Sequence, residues 1–271
     1  MAERLEIVLT NDDGIDSAGL RAVYDALSEV ARVTVVAPAD DQSAVGRSIS
    51  HEVAVRDHEL GYAVEGTPAD CVVAAMAELG PDPDLVVAGC NRGANLGEYV
   101  LGRSGTVSAA VEAAFFGVPA IATSLYVPAG DRSYREVEIT REQYAEAVRA
   151  TRYLVEHVPE TELFDHVSYL NVNAPVPGDE PAPLELTVPS PRYEMDASGN
   201  GDGSIRLADR IWERMDPETL PDSDGTDRRA VVDGRVSVSP LTVPQTTVRH
   251  DELERLTETY PYPDVVADLE L

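Results

Sequence analysis

The first half of the chain alternates between short apolar runs and segments with a helical pattern, and this order limits the folds open to it. The apolar runs are 5–9, 33–37, 84–88 and 119–123. The segments with helical periodicity are 17–30, 68–79, 106–116 and 141–157. Runs that are short and nearly continuous in apolar residues are typical of parallel strands covered on both faces. The order therefore predicts an α/β fold with a three-layer, Rossmann-like, doubly wound and mostly parallel sheet.

Two regions depart from this alternation. Within 38–66 a polar loop is followed by two short alternating segments, which predict a hairpin. Six prolines fall between Pro175 and Pro191, and the Gly- and Asp-rich stretch DASGNGDGS follows at 196–204. Proline and glycine at this density argue against a second compact α/β domain. We expect long loops and hairpins that reach away from the core.

These patterns divide the chain at about residue 190. We predict a Rossmann-like core over 1–190 and an extended hairpin or arm over 191–271. The arm includes a strand in the alternating segment RVSVSPL at 235–241 and a final helix near 249–258. Exposed strand edges need cover, and a second subunit around a two-fold axis provides it. The arm is therefore predicted to serve oligomerisation.

The charge balance is strongly acidic. The chain has 49 Asp and Glu against 21 basic residues, a formal net charge of −28, and every basic residue is arginine. Such a surface repels nucleic-acid backbones and anionic lipid, so neither a nucleic-acid duplex nor a membrane is an expected partner. Molar salt screens self-repulsion of this size, which favours a halophilic origin. Cys71 and Cys90 lie alone in apolar contexts, and no signal peptide is evident, so we expect reduced core cysteines and a cytoplasmic location.

Two adjacent carboxylates stand where the first predicted strand ends. Asp12 and Asp13 follow the apolar run in IVLTNDDG, while Ser43 follows the second run and Asn91 the third. Because ligands bind at the carboxyl ends of parallel strands, we expect these four side chains around one crevice. Two carboxylates, a hydroxyl and an amide oxygen suit a hard divalent cation, which removes the carboxylate repulsion. The alternative is that one Asp only caps the following helix.

The segment RSGTVSAAVEAA at 103–114 predicts a turn that enters a helix of small residues. Ser104 and Thr106 are candidate caps, and free backbone N–H groups at such a terminus bind anions. Beside a cation site, this arrangement favours phosphate binding. The alternative is a capped core helix with no ligand.

The motifs together resemble the SurE (survival protein E) nucleotidases. The likeness is carried by LTNDDGIDSAGL, APADDQSAVGRSIS, GTPADCV, PDLVVAGCNRGANLG, SGTVSAAVEAAFFGVPAIA and the C-terminal TDRRAVVDGRVSVSPL. The resemblance implies a metal-dependent phosphomonoesterase that releases phosphate from nucleoside 5′-monophosphates, with 3′-monophosphates left open. It also implies a homodimer formed by C-terminal exchange, often pairing into tetramers.

The resemblance also implies roles for individual residues. One divalent cation per subunit, Mg²⁺ or Mn²⁺, is held by Asp12, Asp13, Ser43 and Asn91, and the two aspartates form the catalytic centre. The residues that face the phosphate map onto Asn95, Ser104, Gly105 and Thr106. The hydrolysis then uses a metal-activated water, and none of the five histidines lies in these loops to act as a general acid.

Two positions depart from the family pattern. Cys90 stands where relatives often carry an aliphatic residue, and Arg103 stands where an aromatic residue is common.

Other classes of protein fit the sequence less well. A receiver domain needs a lysine that the chain lacks, no GxxxxGK[ST] motif is present, and the glycines at 89, 93 and 97 have the wrong spacing for a dinucleotide fold. A calcium loop in DASGNGDGSIRL places Leu207 where Glu is required. A non-catalytic nucleotide or phosphate sensor on the same scaffold remains the alternative.

Overall fold

The computed structural model describes residues 4–129, 136–243 and 251–259. Among these residues, nine strands form one sheet in the order β3-β4-β2-β1-β5-β6-β7-β11-β8. The strands are β1 (Glu6–Thr10), β2 (Arg32–Pro38), β3 (Val55–His58), β4 (Gly61–Val64), β5 (Leu85–Arg92), β6 (Ala120–Leu125), β7 (Tyr169–Ala174), β8 (Leu184–Leu186) and β11 (Val236–Leu241). The strands from β4 to β7 in this order run parallel, whereas β3 pairs antiparallel with β4 and β11 with β7.

Helices cover both faces of the sheet. The helices are α1 (Ala18–Ser28), α2 (Pro68–Ala74), α3 (Glu98–Leu101), α4 (Gly105–Phe115), α5 (Ala145–His157), α6 (Asp227–Val232) and α7 (Asp251–Thr259). Apolar residues of α1 and α5 pack with one set of strand residues, which includes Ile7 and Leu9. Those of α2 and α4 pack with the opposite set, which includes Val8. Successive strand residues point to opposite faces, so the fully apolar run of β1 serves both cores.

Local signals explain where the main helices begin. The Ser17 side chain accepts a hydrogen bond from the backbone of α1, and Ser104 caps α4 in the same way. Thr67 and Asp70 form a capping box at α2, which also has Pro68 at its first position. These are favoured helix starts because they satisfy backbone N–H groups that lack partners in the helix.

The predicted fold class is confirmed, with shifts at element ends. The predicted helix over 68–79 is α2 followed by a π-helical turn at Ala75–Leu79, and the segment predicted as helix from 141 begins with a 3₁₀ turn. The predicted hairpin within 38–66 is β3–β4. The final helix is α7, and positions 249 and 250 of its predicted span lie outside the described residues.

The C-terminal third differs most from expectation. Strand β7 was not predicted, and β8 and β11 extend the main sheet instead of reaching away from it. Strand β11, which was predicted as part of the arm, therefore belongs to the main sheet. A separate hairpin does form from β9 (Met195–Gly199) and β10 (Ile205–Asp209), which make a two-stranded antiparallel sheet. The six prolines from Pro175 to Pro191 lie in the connections on either side of β8.

Candidate active site

A cavity of about 610 Å³ opens at the carboxyl ends of the central strands. Its polar part is formed by side chains from the end of β5, from the loops after β1, β2 and β5, and from the start of α4. These are Asp12, Ser43, Asn91, Asn95 and Ser104. Its aromatic part is formed by the end of β6 and by the segment around the β9–β10 hairpin. These are Tyr126, Met195, Trp212 and Met215, with Asp209, Glu213 and Asp216 beside them.

The two aspartates after β1 are held by different contacts. Asp12 is 3% exposed, and the Thr106 hydroxyl donates a hydrogen bond of 2.5 Å to its Oδ1. Asp13 accepts a hydrogen bond of 2.7 Å from the backbone N–H of Arg92. Ser17, and neither aspartate, caps α1. The alternative that these carboxylates serve as helix caps is therefore excluded.

Burial and mutual repulsion leave the aspartate pair hard to ionise in the absence of a cation. Burial raises the pKa of Asp12, although hydrogen bonds from the Thr106 hydroxyl and backbone counteract it. Burial, followed by the charge of Asp12, raises the pKa of Asp13 to about 7. Asp41 adds a smaller repulsion to both. A positive charge placed between the carboxylates would reverse these shifts.

The loop after β2 brings Ser43 to the cavity. The backbone N–H of Gln42 donates to the Asp12 carbonyl at 2.7 Å, which docks this loop against the loop after β1. Ser43 donates its hydroxyl to Asp41 Oδ1 at 2.5 Å, and its backbone N–H donates to the same atom at 2.8 Å. The Ser43 oxygen keeps lone pairs for a further partner. Asp41 was not predicted, although its place two residues before the serine is typical of an Asx turn.

A bulge in β5 brings Asn91 into the cavity. The pairing with β6 runs from Ala88 with Ala122 directly to Asn91 with Ser124, so two residues of β5 lie opposite the single residue Thr123 and one extra residue lies in β5. Gly89 has a φ of +131°, and a Cβ there would lie 2.2 Å from the Thr123 carbonyl oxygen, so only glycine fits. The Asn91 amide nitrogen donates to the Gly93 carbonyl at 2.6 Å. Its Oδ1 is thereby left as the atom available to a ligand.

The start of α4 lies against Asp12. Ser104 lines the cavity and caps the helix by accepting a 3.1 Å hydrogen bond from the backbone N–H of Val107. A Cβ on Gly105 would lie 2.8 Å from Asp12 Cβ, so glycine permits this close approach. Thr106 is fully buried and contacts Asp12. The cavity lining does not include Gly105, Thr106 or Asp13.

Two asparagines of β7 hold the backbone of Asn95. The Asn173 side chain accepts from the Asn95 backbone N–H at 2.7 Å, and Asn171 donates to the Asn95 carbonyl at 2.9 Å. The Asn95 amide nitrogen donates to the Ser124 hydroxyl at 2.9 Å. All four residues are buried. These contacts fix the backbone of Asn95 and leave its second amide hydrogen free for a ligand in the cavity.

The donor set fits a hard divalent cation. The carboxylates of Asp12 and Asp13, the Asn91 Oδ1 and the Ser43 hydroxyl are all oxygen ligands, as Mg²⁺ and Mn²⁺ prefer. The raised pKa values of the two aspartates mark a pair whose repulsion persists, because the charge of Arg92 lowers the pKa of Asp13 by less than burial and Asp12 raise it. These are the four residues that the sequence predicted as metal ligands. Their role as ligands stays a prediction.

Several residues in or beneath the cavity lining were not predicted. Asn171 and Asn173 stand two apart in LNVNA, and buried polar residues on one face of a strand were the available signal. Trp212 is the chain's single tryptophan, but no local pattern connects it to the strand ends. Cys71 and Cys90 are both free and buried, so the prediction of core cysteines is confirmed. No described helix is long and apolar enough to cross a membrane.

The fold and the cavity place the chain among α/β proteins with a polar crevice at the carboxyl edge of a doubly wound sheet. The family model described as Survival protein SurE matches residues 7–195. The chain therefore belongs to the SurE family, and the resemblance drawn from its motifs is confirmed.

Relatives match over nearly the whole chain. A protein of Natronomonas pharaonis named 5′-nucleotidase SurE is 63% identical over 94% of this chain and 100% of its own length. One of Haloarcula marismortui with the same name is 62% identical over 94% of each chain. The crystal structure of the SurE protein from Aquifex aeolicus has a TM-score of 0.71 and 31% identity, and the match covers 94% of this chain and 97% of that one. The first two of these relatives come from halophilic archaea, in keeping with the acidic composition.

Proposed function

We propose that the chain is a metal-dependent 5′-nucleotidase that hydrolyses nucleoside 5′-monophosphates to nucleoside and phosphate. The proposal rests mainly on one observation: the first turn of α4 lies against the Asp12–Asp13 pair. Gly105 permits this close approach, and Thr106 donates a hydrogen bond to Asp12. The names of the relatives support the same activity. Activity on 3′-monophosphates belongs to the same proposal as an open extension.

The chain's own residues would bind and orient the substrate. Ser104 and the N-terminal turn of α4 present hydrogen-bond donors and a positive helix end, which favour phosphate. Asn95 donates its free amide hydrogen to a phosphoryl oxygen, and the Asn171–Asn173 contacts keep it in place. A divalent cation held by Asp12, Asp13, Ser43 and Asn91 would polarise the phosphoryl oxygen and activate the attacking water.

The aromatic part of the cavity suits the nucleoside. Tyr126 and Trp212 provide ring faces for a base, and Asp209 offers a carboxylate that can accept from ribose hydroxyls. A volume of about 610 Å³ is within the range of small-molecule sites, roughly 300–1,000 Å³. A nucleoside monophosphate would thus place its phosphate in the polar part and its base in the aromatic part.

A phosphate-release screen tests this proposal. Nucleoside 5′- and 3′-monophosphates are incubated in molar KCl with Mg²⁺, with Mn²⁺ or with a chelator. We expect release from 5′-monophosphates that depends on the cation and disappears in Asp13→Asn. Binding of nucleotides without release under any of these conditions would instead identify a non-catalytic sensor.

We further propose that the protein is a homodimer, or a tetramer of two dimers, that acts in the cytoplasm. Ile205 and Leu207 of β10 lie on one face of the hairpin at 68% and 70% exposure, opposite Gly199 and Ala197. A second subunit would cover this apolar face. Truncation at residue 190 is a poor test because it also removes β11 from the main sheet.

Two point substitutions test the assembly more cleanly. Light scattering in molar KCl should report at least a dimer for the unaltered chain. Leu207→Asp should weaken the assembly, whereas Arg206→Gln, at the neighbouring residue of the same strand, should leave it unchanged. A full-length chain that is monomeric and active would contradict the proposed assembly.

A further inference from the structure

Arg103 carries the only basic side chain among the described residues that line the cavity. It directly precedes Ser104, the residue that caps α4. The other charged side chains of the lining are acidic: Asp12, Asp209, Glu213 and Asp216. Arg103 therefore lines the same cavity as the helix end that we propose for phosphate, and the other charges of that lining are negative.

The guanidinium is held by aromatic rings. Its carbon lies 5.3 Å from the centre of the Tyr99 ring and 5.9 Å from that of Tyr193. One of its nitrogens lies 3.5 Å from the Tyr193 hydroxyl. The two rings contact each other edge to face with centres 5.0 Å apart. Cation–π contacts of this kind fix the plane of a guanidinium and do not neutralise its charge.

The absence of an acidic partner is unusual in this chain. Acidic residues outnumber arginines by 49 to 21, and most described arginines pair with one. Two arginines elsewhere in the sequence, Arg47 and Arg192, lie 3.9 Å from carboxylates, and Arg228 lies 3.5 Å from one. In the described part of the chain, no carboxylate lies within ion-pairing distance of Arg103, whose contacts are those to the two tyrosines.

We propose that Arg103 is a substrate-binding residue that contacts the phosphate group of the nucleotide while Tyr99 and Tyr193 hold its guanidinium in place. The guanidinium offers a planar fork of donors that matches phosphate oxygens. Direct contact is needed because molar salt reduces the Debye length to about 3 Å and removes long-range attraction. That the phosphate belongs to a nucleotide rests on the proposed function. The contact between Arg103 and a phosphate group does not depend on that function.

The test distinguishes a contact of Arg103 with the phosphate from a contact with the nucleoside. Binding of inorganic phosphate and of adenosine is measured by calorimetry in molar KCl with saturating Mg²⁺, and KM and kcat are measured for AMP. For Arg103→Gln we expect phosphate binding to weaken and the KM for AMP to rise, each about 10-fold, because a charged hydrogen-bond donor is lost. Adenosine binding and kcat should stay within about 3-fold of the unaltered protein. Arg103→Lys, which keeps the charge without the fork, should restore part of the phosphate affinity.

Arg206→Gln is the matched control, because Arg206 is an exposed arginine on β10 outside the lining of the cavity. It should bind both probes like the unaltered protein. Weakened adenosine binding with unchanged phosphate binding in Arg103→Gln would overturn the proposal and place the guanidinium against the base. A fall in kcat with unchanged KM would also overturn it. If the unaltered protein hydrolysed no nucleotide, weakened phosphate binding in Arg103→Gln would still support the phosphate contact.

Discussion

The polar and aromatic parts of the cavity are built in different ways. In the polar part, Asp12, Asn95 and Ser104 are buried and hydrogen-bonded to residues of α4 and β7. In the aromatic part, Trp212 is 36% exposed and belongs to a segment that returns from the β9–β10 hairpin. Groups on rigid, buried elements hold a fixed geometry. We therefore expect the chemical step in the polar part and nucleoside selection in the aromatic part.

Removing one carboxylate of the polar part should have the largest effect. For Asp12→Asn or Asp13→Asn we expect kcat to fall by roughly 10³-fold or more, because a charged ligand of the cation is lost without a change in volume. The cation-free protein should keep or gain stability at neutral pH, since a buried repulsive charge is gone. Phosphate release and thermal unfolding measure the two effects.

Asp16→Asn is the control for this comparison, because Asp16 follows in the same loop with its side chain 83% exposed. It should change neither activity nor stability appreciably. Full activity in Asp13→Asn, with turnover that resists a chelator, would remove the aspartate pair from the chemistry.

The pKa of Asp13 predicts how pH affects the cation-free protein. Folding raises this pKa from 3.8 to about 7, so the native state binds the proton more tightly than the unfolded state. The associated stability is present below about pH 4 and is lost as the pH rises towards 7. The loss is on the order of a few kcal/mol, at about 1.4 kcal/mol per pKa unit.

Divalent cations should reverse this trend, because they bind the ionised carboxylates. In molar KCl, the rise in unfolding temperature caused by Mg²⁺ or Mn²⁺ should therefore grow between pH 5 and pH 8. Asp13→Asn should flatten both dependences. A cation effect that is the same at both pH values would contradict the assignment of Asp13 as a ligand.

A glycine tests how tightly the polar part is packed. Gly105→Ala places a Cβ 2.8 Å from Asp12 Cβ and 2.9 Å from its Oδ2, so the carboxylate must shift. We expect kcat to fall by roughly 10²-fold, since small misplacements at a reacting centre are costly. Gly102→Ala is the control, because no atom lies within 4 Å of its Cβ position and its φ is −77°. Equal activities in the two variants would show that the packing against Asp12 is unimportant.

The contrast between the polar and the aromatic parts of the cavity also explains what could be predicted from sequence. The parallel strands and the aspartate pair were predictable because apolar runs and the residues that end them are local signals. Strand β7 was missed because its asparagines interrupt the continuous apolar run by which the other central strands were predicted. Asn171 and Asn173 are buried because they bond the backbone of Asn95, a contact between residues 76 and 78 positions apart. Trp212 reaches the cavity through the return of the β9–β10 hairpin, which no local pattern specifies.

The aromatic part should give the smallest and most selective effect. Trp212→Ala removes a ring that we propose stacks on the base, and base–aromatic stacking is worth about 1–3 kcal/mol. We expect the KM for AMP to rise about 10-fold with kcat nearly unchanged, whereas the KM for ribose 5-phosphate, which lacks a base, should not change. Trp212→Phe should keep most of the affinity for AMP. Phe116→Ala, at an exposed aromatic residue outside the cavity, should leave both substrates unaffected. If Trp212→Ala weakened the two substrates equally, or lowered kcat for both, the division between a catalytic polar part and a selective aromatic part would be wrong.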